Sequence, residues 1–296
     1  MNDNFKETTK LKESDIRPRE IPPPKDSVFL ADMRSRQESS KALQEPGANF
    51  LEGVENDVRS TENSQNESHS QNHSMEDRGT WYAVLRKDVP KNVKIIPLAW
   101  IMKIKVLPNG SLDCYKARIC VRGDLQISDG SSTYAPVVKW ATIRSVLAFA
   151  IKHDLYSRQV DFLNAFAQAN LPEGKHVYVC PPPGFRHACG ETVLKLRKAL
   201  HGMVESPLLW FNVLKGTLTK LGFQQSEEDK CLFFNPKRNI IMLTHVDDCL
   251  FFGRDKASVD NLIEEIKTIH SLKVLNPERS AFEYLGIEVN RRVPWH

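Results

Sequence analysis

The sequence has little that would suit a secreted, disulfide-stapled or membrane-spanning protein. Its six cysteines, in 296 residues, form no C-x-x-C pair and have no histidine partner at zinc-finger spacing. We interpret them as small, buried apolar residues of a reducing compartment. The first residues lack an apolar signal-peptide core, and no uninterrupted apolar run approaches membrane-spanning length. These absences predict an intracellular protein, in the cytoplasm or the nucleus, with no membrane partner.

Large apolar side chains are also scarce in the first 79 residues. Residues 52–77 are largely serine, asparagine, glutamine, histidine and acids, a composition that cannot bury enough surface to offset the entropy of ordering. We predict a disordered, linker-like segment over residues 1–79 and a folded region over residues 80–292. The folded region is long enough for one large or two small domains.

Basic residues cluster at the start of the folded region. They recur at every second position in two strand-like runs, around Lys103 and Lys105 and around Lys116 and Arg118, on either side of a Pro108-Asn109-Gly110 turn signal. A two-stranded basic hairpin of this kind could hold the phosphates of a nucleic acid. It equally suits an edge hairpin whose lysines prevent aggregation. The charge pattern alone leaves both interpretations open.

Two adjacent acids, Asp247 and Asp248, stand between the apolar runs 240–246 and 249–252. The runs predict two buried strands of a β-hairpin with the acids at its tip. Carboxylates crowded at a turn repel each other, which a divalent cation would relieve. The alternative is an ordinary turn, since aspartate favours turns for its own backbone reasons. A third acid, Asp161, ends another apolar strand-like run and favours the metal interpretation.

Helix and strand patterns alternate through the folded region. Apolar residues recur at helical spacing over residues 141–153, from Ser206-Pro207 to a stop at Gly222, and over residues 258–269. Hairpins interleaved with helices, with three acids at strand ends, predict an α+β fold with a ferredoxin-like antiparallel sheet. Two Mg²⁺ ions on such a sheet could activate a 3′-hydroxyl for in-line phosphoryl displacement.

In ten ordered blocks the folded region resembles the reverse transcriptase of copia-type LTR retrotransposons. The blocks include Tyr115-Lys116-Ala117-Arg118, Tyr134-Ala135-Pro136-Val137-Val138, Gln159-Val160-Asp161-Phe162-Leu163-Asn164-Ala165-Phe166, Pro182-Pro183-Gly184-Phe185, His245-Val246-Asp247-Asp248 and Tyr284-Leu285-Gly286-Ile287. The resemblance implies a right-hand polymerase with fingers and palm. It also implies DNA synthesis from a primer on an RNA or DNA template, with deoxynucleoside triphosphates as substrates.

The resemblance implies roles for single residues. Asp161, Asp247 and Asp248 match three carboxylates that hold two Mg²⁺ ions, or Mn²⁺ in their place. The other matched positions are Lys105, Lys116 and Arg118 on the incoming triphosphate, Phe166 as the aromatic ring that blocks a ribose 2′-hydroxyl, and His245, Leu285 and Gly286 on the primer and template. A core aromatic remains the alternative for Phe166.

The chain departs from the family pattern close to these positions. His245 stands where the family has tyrosine, Leu208 where it has arginine, and Glu205 where it has a neutral amide, so that Glu205 is expected to add repulsion near a triphosphate. Gln168-Ala169-Asn170 replaces an expected Asn-Gly. The thumb and RNase H regions of the family do not follow before His296, which suggests a polyprotein fragment or a decayed copy.

Two functions follow from these observations. The retained acids favour an RNA-directed DNA polymerase, and the departures favour a catalytically decayed fragment that still binds nucleic acid. A metal-dependent nuclease has little support, because the sequence shows no separate acidic cluster for it.

Overall fold

Two sheets carry most of the strands in the part of the chain that this computed structural model describes. The described residues are 75–106, 111–127, 130, 132–182, 185, 190–275, 281–285 and 287–290. They belong to one compact unit, Asn56–His296. Residues 1–74 of the predicted disordered segment, the predicted turn at residues 108–110 and Gly286 lie outside the described residues. The described chain begins at Met75, which is 1% exposed and packs in the core of the first sheet.

The first sheet has five strands in the order β1-β6-β5-β2-β3. All neighbours are antiparallel except β2 and β5, which run parallel. Its core face is built from alternate residues, among them Ile96, Ile119, Val179 and Leu194. The strands are β1 (Trp81–Leu85), β2 (Ile95–Val106), β3 (Leu112–Val121), β5 (Tyr178–Cys180) and β6 (Thr192–Leu196).

The second sheet has six strands in the order β11-β4-β10-β9-β8-β7, with every neighbouring pair antiparallel. Apolar side chains of its strands point to both faces, and a hydrophobic cluster packs against each face. The strands are β4 (Tyr156–Phe162), β7 (Gln224–Gln225), β8 (Leu232–Asn235), β9 (Ile240–His245), β10 (Asp248–Gly253) and β11 (Leu272–Leu275). A separate hairpin pairs β12 (Ala281–Tyr284) with β13 (Ile287–Asn290).

Three helices cover the six-stranded sheet. Helix α1 (Trp140–Lys152) packs on one face, against Leu243, Leu250 and Phe252. Helices α2 (Ser206–Lys220) and α3 (Lys256–Lys267) pack on the other face, in the cluster that contains Phe162 and Phe251. The three helices lie where the apolar spacing predicted them, and the described residues therefore form the predicted α+β fold.

Local sequence explains where the helices start and stop. Helix α2 begins at Ser206 with Pro207 in its first turn, where the missing N–H costs nothing. It is followed by Gly222 at a φ of +89°, a left-handed conformation that glycine adopts freely. The Asp255 carboxylate caps α3 by accepting hydrogen bonds from the backbone N–H groups of Ala257 and Ser258. No helix among the described residues has the length and apolarity needed to cross a membrane.

The structure contradicts part of the expectation that the cysteines are buried thiols. Cys120, Cys231 and Cys249 are buried free thiols, as predicted, and burial raises the pKa of each. Cys114 is exposed, however, and Cys180 is disulfide-bonded. The interpretation of all six cysteines as buried thiols is therefore wrong at these two positions, because sequence spacing does not show which residues the fold brings together.

Candidate functional site

The two adjacent acids lie at the tip of the hairpin formed by β9 and β10. His245 pairs with Asp248, so Val246 and Asp247 form a two-residue turn. Val246 has a φ of +59°, in the left-handed region that β-branched residues rarely adopt. Tertiary contacts hold it there: the Trp210 Nε1 group donates a hydrogen bond to the Val246 carbonyl oxygen at 2.7 Å. The neighbouring carbonyl, of Asp247, accepts a bond from the Phe162 N–H at 3.0 Å.

The third acid lies beside this turn. Asp248 and Asp161 are direct partners in the register of β10 and β4, so their side chains leave the same face of the sheet. Burial, followed by the charge of Asp247, raises the pKa of Asp161. Burial and the charges of Asp247 and Asp161 likewise raise the pKa of Asp248. The structure thus brings the three predicted acids into one group of mutually repelling carboxylates.

The predicted basic residues lie on one face of the β2–β3 hairpin. Lys103 is the register partner of Lys116, and Ile101 is that of Arg118. Lys105 pairs with Cys114 on the same face. Burial lowers the pKa of Lys116, and so do the charges of Arg118 and Lys105, against an opposing effect of the acids Asp161 and Asp247. The cations of the five-stranded sheet therefore face the acids of the six-stranded sheet.

His201 also belongs to this site, although the sequence analysis gave it no role. Burial lowers its pKa to about 4, reinforced by the nearby charge of Arg118 and opposed by that of Asp247. Its ring contacts Phe166 edge-on, with 4.8 Å between the ring centroids. His201 is therefore an uncharged ring at neutral pH, placed between the cations, the acids and the predicted sugar-contacting aromatic.

A close contact between two backbones positions His201. The Val121 N–H at the end of β3 donates a hydrogen bond to the His201 carbonyl oxygen at 2.7 Å. Gly202 follows at a φ of +85°, and a Cβ atom there would lie 2.1 Å from the Val121 carbonyl oxygen. A Cβ atom on Gly123 would lie 1.9 Å from the Gly202 carbonyl oxygen. Both positions need glycine, since any side chain would push the loop away from β3.

Lys273 is a second residue that sequence reasoning missed. It is the direct register partner of Asp161 across β11 and β4, and its charge opposes the rise that burial causes in the pKa of that acid. A single lysine in a short strand carries no recognisable signal before the strand order is known. The basic residues near the acids therefore come from both sheets.

The departures from the family pattern occupy varied environments. Glu205 is buried and forms an ion pair with Lys175, and it accepts a hydrogen bond from the Gln126 amide at 2.6 Å. The repulsion expected from Glu205 is therefore offset by its own partners. His245, a second departure, is the register partner of Asp248. Leu285, which matches the family, packs at a φ of +51° against the core cluster under α1.

The three acids suit a divalent cation by their chemistry. Carboxylate oxygens are the ligands that Mg²⁺ and Mn²⁺ prefer. No three His, Cys, Asp or Glu side chains are already gathered into a metal cage within the described part of the chain. Burial is the largest cause of the raised pKa values of Asp161 and Asp248, and repulsion among the three acids adds to it. A hard cation held by these oxygens would relieve that repulsion.

Carboxylates at strand ends that face a row of cations are typical of proteins that handle metal-bound phosphates, as nucleotidyltransferases do. The chain belongs to one family of that class. The family model "Reverse transcriptase (RNA-dependent DNA polymerase)" matches residues 79–294. Members of this family act on nucleic acids and nucleotides.

Similar curated proteins show which kind of reverse transcriptase the chain resembles. Over 210 residues the chain is 36% identical to the Retrovirus-related Pol polyproteins from transposons RE1 and RE2 of Arabidopsis thaliana, which covers 69% of this chain and 14% of each relative. It is 30% identical over 224 residues to the Retrovirus-related Pol polyprotein from transposon TNT 1-94 of Nicotiana tabacum, which covers 74% of this chain and 16% of the relative. The chain matches only about one seventh of the length of these polyproteins. The prediction of a copia-type reverse transcriptase region is confirmed.

Proposed function

We propose that this chain is an RNA-directed DNA polymerase domain that adds deoxynucleotides to the 3′-hydroxyl of a primer. The observation that carries the proposal is the arrangement of charges across the site, where Asp161 and Asp248 are register partners on one sheet. Burial lowers the pKa of Lys116 on the basic hairpin, and the charges of Asp161 and Asp247 oppose that shift, so the hairpin lies close to the acids. A triphosphate between these groups would meet fixed cations on one side and metal-binding carboxylates on the other.

The proposal assigns the two sheets to the two parts that such an enzyme needs. In this proposal the six-stranded sheet with its three helices is the palm, because it carries all three acids. The five-stranded sheet with its long β2–β3 hairpin is the fingers, because it carries the phosphate-binding cations. An RNA or DNA template with its primer would lie across the palm.

Each side chain has a task in the reaction. Through bound Mg²⁺, the three acids would supply activation of the primer hydroxyl and stabilisation of the leaving oxygen of the displacement. Asp161, Asp247 and Asp248 would hold these ions, and Mn²⁺ could replace them. The triphosphate would be bound by Lys105, Lys116 and Arg118. A 2′-hydroxyl would be excluded by the ring of Phe166. The primer and template would be contacted by His245, Leu285 and Gly286.

The basic residues contribute through fixed position. Negative charge develops on the phosphate oxygens as the reaction proceeds, and cations already in place stabilise it without reorganising. The β2–β3 pairing fixes Lys116 and Arg118 two positions apart on one face of a strand, directed at the same region. Neutral His201 fills the space beside them without adding charge.

Primer extension on poly(rA)/oligo(dT) with Mg²⁺ or Mn²⁺ tests the proposal. The parent chain should extend the primer, and the double variant Asp247→Asn, Asp248→Asn should not. A matched control is Glu227→Gln, Glu228→Gln, an exposed pair of adjacent acids before β8, which should leave extension unchanged. Extension by the site variant equal to that of an active parent would overturn the assignment of the acids.

A nucleic-acid-binding fragment without catalysis is the second candidate. It is favoured by Leu208, which puts an apolar side chain where the family has arginine, and by His245 beside the acids. No extension by the parent or the site variant, together with retained salt-sensitive binding to the template, would support this second function.

A further inference from the structure

A row of alternating aromatic and basic side chains crosses the face of the five-stranded sheet that points away from its core. Lys195 of β6 is the register partner of both Tyr82 on β1 and Tyr178 on β5. Its Nζ atom lies 5.9 Å from the centroid of the Tyr82 ring and 5.6 Å from that of Tyr178. The Arg197 guanidinium carbon lies 5.7 Å from the Tyr82 ring centroid. The two cations are thus held by the faces of aromatic rings.

The row borders a cavity of about 390 Å³. Lys175 and His176 also line it, and none of its described lining residues is a carboxylate. The charge of Lys175 is already balanced by its ion pair with Glu205. The positive charge that the cavity offers to a ligand therefore comes mainly from Lys195 and Arg197.

The row is separate from the acids described above. Leu194 and Leu196, which flank Lys195 in β6, point into the core of the sheet, so Lys195 points outward. The three acids belong to the other sheet. A ligand on this face would not compete for the carboxylates.

The side chains indicate the chemical class of the ligand. Lysine and arginine together suit phosphate oxygens. Tyr82 as a residue is 43% exposed, so it offers a ligand aromatic surface that an anion alone would leave unused. Base stacking on an aromatic ring beside backbone-binding cations is how proteins hold single strands without reading their sequence. We propose that this face binds single-stranded nucleic acid, with Lys195 and Arg197 on successive phosphates and a base stacked on Tyr82.

Equilibrium binding of labelled oligo(dT) to the full chain tests this proposal. The assay contains no divalent metal and no nucleotide, so its outcome is independent of whether the chain polymerises. Lys195→Gln, Arg197→Gln should weaken binding about tenfold and reduce the slope of log affinity against log salt by about 1.4, since each phosphate that is no longer neutralised lowers the slope by about 0.7. The matched control Lys152→Gln, Lys220→Gln, on exposed positions of α1 and α2, should change neither value appreciably.

A second pair of variants isolates the stacking. Tyr82→Ala should weaken single-strand binding about tenfold, whereas Tyr82→Phe, which keeps the ring, should not. Binding of a blunt duplex, whose bases are not free to stack, should be the same in both. Urea unfolding checks that the variants fold, and if Tyr82→Ala does not, the double variant decides the outcome. Equal affinities in the double variant and its control would overturn the proposal, as would tighter binding of polyglutamate than of oligo(dT).

Discussion

Replacing Trp210 with phenylalanine would remove one of the two hydrogen bonds that hold the Val246-Asp247 turn. Trp210 is 1% exposed, and its ring packs edge-on against Phe162 with 5.0 Å between centroids. The substitution leaves the Val246 carbonyl without its 2.7 Å donor, a cost of about 1–3 kcal/mol. The smaller ring adds a cavity cost of about 1 kcal/mol. We expect the free energy of unfolding to fall by about 2–4 kcal/mol.

The turn itself should respond more than the rest of the fold. Hydrogen exchange at the amides of residues 246–248 should accelerate, and primer extension should fall at least tenfold, because small displacements of catalytic groups are costly. Leu218→Ala is the matched control, since Leu218 lies two turns further along α2 in the same core cluster and is 0% exposed. It should lose about 2–5 kcal/mol of stability with unchanged extension per folded molecule. Parental exchange and extension in Trp210→Phe, despite reduced stability, would refute the reasoning.

Three further predictions concern the surroundings of the site. Gly202→Ala should destabilise the fold by more than about 2 kcal/mol in urea unfolding, because its φ is +85° and a Cβ atom would meet backbone, whereas Gly216→Ala on open helix surface should stabilise it by about 0.5–1 kcal/mol. Lys175→Met should destabilise the fold most at neutral pH. Burial alone would raise the pKa of Glu205, but the ion pair with Lys175 and the hydrogen bonds from Lys175 and Gln126 lower it. The stability that these contacts contribute is present above the unfolded pKa of about 4.3. The deficit should therefore shrink as the pH falls below about 4.3 and through the lowered pKa of folded Glu205, and a pH-independent deficit would contradict this account. His201 has a pKa of about 4, so His201→Gln should leave the pH dependence of primer extension between about pH 6 and 8 unchanged.

The helices and the acid-bearing hairpin could be predicted because their signals are local. Apolar spacing predicted helices over residues 141–153 and 258–269, and the observed helices are Trp140–Lys152 and Lys256–Lys267. The acids between two apolar runs predicted the turn between β9 and β10, since a strand's burial pattern is written along its own residues. Proximity of Asp161 to that turn was predicted from its place at the end of an apolar strand-like run and from the family resemblance, while its pairing partner was not, because no local pattern shows which strand pairs with which.

The parts that could not be predicted depend on contacts between distant segments. Gln168 was noted only as a departure from the family pattern. In the fold its side-chain amide donates to the carbonyl oxygens of Leu163 and Ser271, at 2.9 and 2.8 Å, and its oxygen accepts from the Ser271 N–H at 3.0 Å. It thereby ties the turn after β4 to the start of β11. The Lys175 partner of Glu205 was hidden for the same reason, being 30 residues away in sequence.

The left-handed conformation of Val246 has a consequence for when the acids come together during folding. A free hairpin with valine at this position would relax to a commoner turn, since nothing local rewards a φ of +59°. The indole of α2 and the end of β4 impose that conformation from outside the hairpin. The acids can therefore adopt their paired arrangement only after the helix and the third strand have docked. Any activity of this site should accordingly be a property of the assembled core, appearing late in refolding and vanishing early in unfolding.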